Sequence, residues 1–252
     1  LPRALPKGIR IEHATAELIV QATAETTGSI LVFLPGEGEI RRTEAALANR
    51  LPADCVIRPL YGALPFAAQR SAIAPVKEGR KIVLSTSIAE TSLTIADIRV
   101  VVDAGRTRRA RFDPSSGMSR LVTERVSRAE ATQRAGRAGR VAAGHCYPLW
   151  TKGEDGALPA FPPPEIEAAD LAPLALELAQ WGSDDLSFLT PPPAGTLTEA
   201  RRLLVSLGAL NATGQITAHG RAIAALPLHP RLAHMLLTAG RAAAPLAALL
   251  AG

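Results

Sequence analysis

The apolar positions of this chain fall into two rhythms. Continuous short runs at "SILVFLPG" (Ser29–Gly36), "CVIRPL" (Cys55–Leu60), "KIVLS" (Lys81–Ser85), "RVVVD" (Arg99–Asp103) and "HCYPLW" (His145–Trp150) predict strands buried on both faces. Between them lie helical stretches: Glu12–Thr26, then Glu39–Arg50 with Ile40, Thr43 and Leu47 on one face, then "PFAAQRSAI". Strands alternating with helices predict a parallel α/β sheet. The pattern breaks at "TRRARFDPSSGMSRLVT" (Thr107–Thr123), where two β-prone arms flank Asp-Pro-Ser-Ser-Gly, which is turn chemistry. A hairpin projecting from the sheet is expected there.

A Pro-dense stretch at Pro159–Pro164 marks a boundary. Beyond it Asp170 is positioned to cap a helix that carries Leu171, Leu174, Leu178 and Trp181 on one face and stops at Gly182. "TLTE" (Thr196–Glu199) has capping-box spacing and leads into Leu203, Leu204 and Leu207 before Gly208. "ALNATGQIT" reads as a short hairpin and Ala218–Leu226 as a helix, so the order is helix, helix, hairpin, helix, a winged-helix-like module. Trp150 and Trp181 are expected in cores. The division that follows is a sheet domain over 1–158, a winged-helix-like domain over 159–228 and the start of a helical bundle over 229–252.

With 252 residues, 47% hydrophobic and 20% charged, the chain can build sizeable cores. Two cysteines, Cys55 and Cys146, are too few for a disulfide framework or a thiolate metal site, and the His residues lack ligand spacing. A reduced, cytoplasmic, metal-free protein is expected, with no run long enough to span a bilayer. Leu1 in place of Met suggests a piece of something longer.

Charge changes the picture more. The net charge is +5, yet between Ala104 and Arg140 ten Arg face only three acids, a local excess of seven. Guanidinium grips phosphate with paired hydrogen bonds, so this cluster favours an anionic partner. At its end stands "QRAGRAGR" (Gln133–Arg140). If a helix beginning near Ser127 continues through it, Gln133, Arg137 and Arg140 share a face while Arg134 points elsewhere. Gly136 and Gly139 would each cost that helix about 1 kcal/mol relative to Ala, which the close approach of a backbone or a large ligand would offset.

That segment resembles motif VI of superfamily 2 helicases, and "STSIAETSLTI" (Ser85–Ile95) resembles motif V of their DEAH-box branch. "LVFLPGEGEI" (Leu31–Ile40) is similar to motif IV, "YGALPFAAQR" (Tyr61–Arg70) adds support, and the hairpin has the family's position between motifs V and VI. The resemblance implies a second RecA-like lobe, followed by a winged-helix region that in this family packs mainly against the RecA-like lobes. It implies that Gln133, Arg137 and Arg140 contact the phosphates of ATP, the two arginines as fingers, with Thr94 on the nucleotide side. Thr86 and Ser87 would hold a nucleic-acid phosphate, which agrees with their place at the carboxyl end of a strand. Ser87 stands where the family usually has Asn, and the family's usual acid at Ala96 is one step later, at Asp97. On the hairpin, Arg109, Arg111 and Phe112 would meet a single strand, with Phe112 the one ring able to stack on a base.

No Gly precedes a Lys and no Asp precedes a Glu, so the Walker A loop and the Mg²⁺-binding Asp-Glu-Ala-His box are both missing from the sequence. ATP with Mg²⁺ would then be held mainly by the first RecA-like lobe, and this chain would not hydrolyse ATP by itself. The expected partners are that lobe and single-stranded RNA or DNA, with no membrane. The alternative is a non-enzymatic nucleic-acid-binding module, which has no need of the Gln133, Arg137, Arg140 set.

Overall fold

A computed structural model describes residues 8–76, 78–90, 95–113, 117–140, 142–183 and 186–251, without the side chains at 241 and 251. The chain divides into two compact units, residues 1–109 with 121–162, and residues 110–120 with 163–252.

The first unit is built on five parallel strands. In chain order these are α1 (Ile11–Glu25), β1 (Ser29–Phe33), α2 (Glu37–Ala46), β2 (Cys55–Leu60), α3 (Phe66–Ile73), β3 (Arg80–Ser85) and β4 (Ile98–Asp103). The hairpin strands β5 (Arg106–Asp113) and β6 (Met118–Arg125) follow, then α4 (Arg128–Ala135), β7 (His145–Pro148) and α5 (Lys152–Gly156). The sheet order is β2-β3-β1-β4-β7, which puts β1 at the centre. All five residues of β1 are buried, and successive side chains serve opposite faces. Ile30 and Val32 join Ile82, Leu84, Val100 and Val102 under α1 and α2, where Ile40, Thr43 and Leu47 of the α2 segment are all buried. Leu31 and Phe33 join Val83 and Val101 on the other side, with Ala72 of α3 and Ala138.

Two buried cations tie helix ends to the sheet. Arg80 on β3 donates to the carbonyls of Thr23, Thr26 and Gly28 at the end of α1. Lys81, fully buried, donates through Nζ to Ile73 and Ala74 at the end of α3, 3.2 and 2.7 Å away. Both serve carbonyls left open by helix termini. Burial pushes both groups' pKa down.

The second unit holds α6 (Ala172–Trp181), α7 (Ala194–Ser206), α8 (Ala218–Ala224), α9 (Pro230–Ala239) and α10 (Ala244–Ala251). The pair Leu210 and Ile216 closes a minimal antiparallel bridge between α7 and α8. Asp170 Oδ1 accepts from Ala172 N at 2.8 Å, one residue ahead of the N-cap position, which Leu171 holds without a side-chain bond. Two expectations fail here. Trp181 is 76% exposed, because α6 turns Ala172, Ala175 and Leu176 inward beside Leu171 and Leu178. The "TLTE" capping box does not form: α7 starts earlier, at Ala194 after Pro193, so Thr196 lies inside the helix rather than at its N-cap, and the Thr198 hydroxyl bonds back to the Ala194 carbonyl. Trp150, in the first unit, is half-buried and its indole N–H donates to Asp155.

Candidate nucleotide and nucleic-acid interface

The sequence expects one helix from Ser127 through Arg140, and the structure ends it sooner. Ser127 and Glu130 form a reciprocal capping box at the start of α4, with the Glu130 carboxylate accepting from the Ser127 amide and hydroxyl at 2.7 Å each. The helix stops at Ala135, and tighter bonds from Arg137 N to Arg134 O and from Ala138 N to Ala135 O carry the chain into a turn. Gln133, Arg137 and Arg140 are therefore not successive positions on one helical face. Gln133 and Arg140 are exposed and Arg137 is buried. Nor does another part of the chain press on the two glycines. Among the described residues nothing lies within 4 Å of where a Cβ on Gly139 would stand, and Gly136 would meet only carbonyls of its own helix, at 3.3–3.4 Å.

Arg134, which helical spacing points away from Gln133, Arg137 and Arg140, is the most buried arginine of the segment, with 1% of its side chain exposed. Its Nε lies 3.0 Å from Glu90 and its Nη1 3.0 Å from Asp103 at the end of β4. It also donates to the Arg106 carbonyl and packs 5.0 Å from the Phe33 ring centroid. Burial pushes the carboxyls of Asp103 and Glu90 up, and the Arg134 charge opposes that rise in both. A shielded charge pair between two motifs gives no warning in a sequence, except that an Asp closing a β-run needs a buried partner.

Glu90 is the hinge of the site. Its carboxylate binds Arg134 and its backbone carbonyl accepts from Arg137 Nη2, so one residue of the "SIAETSLTI" segment holds two of the "QRAGRAGR" segment. Burial, then the nearby charge of Arg140, push the Arg137 pKa down, and Glu90 offsets part of that. The positive charge of Arg140 thus bears on Arg137.

The expected contact residues divide between the two edges of the sheet. Thr86 and Ser87 directly follow β3 at the carboxyl edge, where Thr86 N donates to Leu60 O at the end of β2. Asp97 lies at the opposite edge: it precedes β4 with φ +70°, and its carbonyl accepts from Ser29, the first residue of β1. The turn after α4 reaches that same amino edge, since Gly144, just before β7, packs against the carbonyls of both Ala138 and Arg99. Thr86 and Ser87 thus stand at a strand carboxyl end, whereas Asp97 shares the opposite edge with the arginine turn. Thr94 lies outside the described residues.

On the hairpin the picture differs from expectation. Arg109 is paired with Glu124 and Glu130 and is 17% exposed, so it braces the start of α4. Arg108 reaches Glu39 and Arg125 reaches Glu154, at 3.3 and 3.0 Å. Much of the local positive excess is therefore answered inside the fold. Phe112 is half-buried, and Arg111 is half-buried and has a partner. The Phe112 amide donates to Ala168 O, and Phe112 lines a 550 Å³ cavity of the second unit with Leu171, Ala200 and Leu203, so it is not presented as a stacking wedge. Among the described residues of the hairpin, Met118 and Leu121 are large apolar side chains that are exposed. Among the described residues no group of three or more His, Cys, Asp or Glu could hold a metal ion, and no helix is long and apolar enough to cross a membrane.

A five-stranded parallel sheet followed by a helical unit is shared with known proteins. Residues 11–142 match the helicase conserved C-terminal domain and residues 200–228 the winged-helix helicase-associated domain, so the chain belongs to the helicase C-terminal domain family, as the C-terminal region of the DEAH-box type. It is 48% identical over 239 residues to the ATP-dependent RNA helicase HrpB of Escherichia coli (strain K12), covering 93% of this chain and 29% of that protein. It is 41% identical over 246 residues to the pre-mRNA-splicing factor ATP-dependent RNA helicase prp22 of Schizosaccharomyces pombe (strain 972 / ATCC 24843), covering 92% and 21%. A crystal structure of the Escherichia coli DEAH/RHA helicase HrpB superposes with a TM-score of 0.91 at 46% identity over 98% of this chain and 32% of that one. The chain spans less than a third of the length of each of these relatives.

Proposed function

We propose that this chain is the carboxyl-side part of an ATP-dependent helicase acting on single-stranded RNA in the cytoplasm, and that it answers to ATP bound chiefly by another RecA-like lobe. Two relatives, both ATP-dependent RNA helicases, support the class. The observation that carries the reading is the double hold of Glu90 on Arg134 and Arg137. It makes the loop after Thr86 and Ser87 and the arginine turn a single mechanical piece, so a phosphate bound at one edge of the sheet is felt at the other.

Arg137 and Arg140 suit a triphosphate because their mutual repulsion is relieved when an anion lies between them. They add positive charge where a transferred phosphoryl group spreads its negative charge, with Gln133 beside them as a neutral donor. Asp97 is our choice for the ribose side. The residues present fit the phosphates, whereas among the described residues no group of three or more His, Cys, Asp or Glu fits a metal, so Mg²⁺ would be held by the other lobe and would supply positive charge against the phosphates. A pure nucleic-acid binder would have no use for two arginines at the edge opposite Thr86 and Ser87.

The test is to supply the first lobe and measure RNA-stimulated ATPase for native and Arg140→Ala protein. Arg140 is exposed, so folding should not change, while the rate should fall by about 10³-fold or more. Equal rates would refute the assignment.

A further inference from the structure

The ring of Phe66, at the start of α3, is 72% exposed, although α3 has a core side to bury it against. That side is occupied by Ala72 and, in part, Ile73. On the outer side, the Arg70 guanidinium lies 5.1 Å from the centroid of the Phe66 ring. An exposed aromatic ring beside a planar cation is a surface on which a nucleobase stacks with little regard to its identity.

Its place in the fold narrows the partner. The Thr86 amide is bonded to the Leu60 carbonyl, and Phe66 follows Leu60 by six residues, through a tight turn that Gln69 closes by donating to the Gly62 and Leu64 carbonyls. Six residues reach at most about 21 Å even when extended, so the ring stands within a few nucleotides of Thr86 and Ser87. From Tyr61 to Val76 the sequence holds one Arg and no acid, and the carboxylate that meets this stretch at Tyr61, that of Glu37, is already paired with Arg41 at 2.6 Å.

We infer that Phe66 and Arg70 form a base-stacking platform for single-stranded nucleic acid, adjoining the phosphate contacts of Thr86 and Ser87. The inference rests on the nucleic-acid reading above and adds a contact to it. Phosphate contacts hold the strand through charge and dipoles, whereas the platform holds one base through its flat face. Its contribution should therefore leave the salt dependence unchanged, because stacking releases no counterions.

The experiment is a fluorescence anisotropy titration of this chain with a fluorescein-labelled 12-mer of oligouridylate. Native protein is compared with Phe66→Ala, Phe66→Leu, Phe66→Trp and Thr86→Ala, each checked for folding by circular dichroism. We expect Phe66→Ala and Phe66→Leu to bind at least about fivefold more weakly at unchanged salt slope, and Phe66→Trp to match or exceed native. If Phe66→Ala and Phe66→Leu bind like native while Thr86→Ala is weakened, the platform is wrong and the phosphate reading stands; a protein-docking role for Phe66 would give this same result. A loss in Phe66→Ala that Phe66→Leu restores would also overturn stacking, in favour of a simple apolar contact. If native protein binds no oligonucleotide, both readings fall.

Discussion

The Glu90 carboxylate lies 3.0 Å from Nε of Arg134, a residue 44 positions further along the chain, with 11% and 1% of their side chains exposed. Asp103 completes the set at 3.0 Å from the Nη1 of the same guanidinium. One cation therefore serves two acids inside the sheet unit, and burial raises the pKa of both. The same Glu90 supplies the carbonyl that Arg137 uses, so this charge cluster also sets the position of the turn that carries the candidate phosphate contacts.

Replacing Arg134 with Met should be among the most damaging single changes in the first unit. Removing one partner of a buried charge set leaves the others uncompensated, which costs about 3–5 kcal/mol. That is a large share of the 5–15 kcal/mol that separates folded from unfolded domains. Arg134→Lys should recover little, because a single ammonium nitrogen cannot reproduce the separated in-plane donors, Nε and Nη1, that reach the two acids. Urea denaturation checks this; a midpoint close to native for Arg134→Met would mean the pair adds nothing to the fold.

Gly139→Ala should separate stability from activity. The position has open space around it and no left-handed φ, so the added methyl meets nothing among the described residues and should leave the denaturation midpoint unchanged or slightly raised. If a nucleotide comes close to this backbone, the same methyl should reduce RNA-stimulated ATPase about tenfold or more once the first lobe is supplied. Full activity in a stable Gly139→Ala protein would remove the need for a close-packed ligand there.

Strands and helices were legible because each is decided locally: β1 is apolar without interruption and lies at the centre, and Ile40, Thr43 and Leu47 keep helical spacing and are buried. The arginines were not. Spacing alone assigned Arg137 and Arg140 to one helical face and dismissed Arg134, whereas the helix gives out at Ala135 and Arg134 goes to the core. Which of ten neighbouring arginines faces a ligand depends on acids brought near by the fold: Glu39 takes Arg108, Glu124 and Glu130 take Arg109, and Glu154 takes Arg125. Trp181 misled for the opposite reason. Its size suggested a core, while small residues of α6 made the contact with α7.

Acid should weaken the start of α4 in a defined way. Burial alone would raise the Glu130 carboxyl, but the Ser127 amide and hydroxyl and the Arg109 charge outweigh it and hold the group below its ordinary 4.5. A depressed carboxylate stabilises the fold above its unfolded pKa and loses that contribution as pH falls through its folded one. Glu130→Gln should therefore be less stable than native at pH 7, by about 1–3 kcal/mol, with the gap closing below about pH 4.5. Chemical denaturation at pH 7 and at pH 3.5 measures it, and a gap that is the same at both would assign the loss to shape rather than charge.

Gly220→Ala makes the opposite case to Gly139→Ala, and in the second unit. Gly220 lies in α8, where exchanging glycine for alanine would ordinarily favour the helix by about 1 kcal/mol. Here a Cβ would run into the Ala209 carbonyl and stand 2.9 Å from Ile216, beside the bridge of Leu210 with Ile216. A backbone carbonyl cannot rotate away as a side chain can, so α8 must shift off the hairpin or stay strained, at a cost of about 1–3 kcal/mol. The loss should be confined to the winged-helix unit. Amide hydrogen exchange should speed up in α7, α8 and α9 and remain native in β1, β3 and β4, whereas uniform acceleration in both units would show that they unfold together.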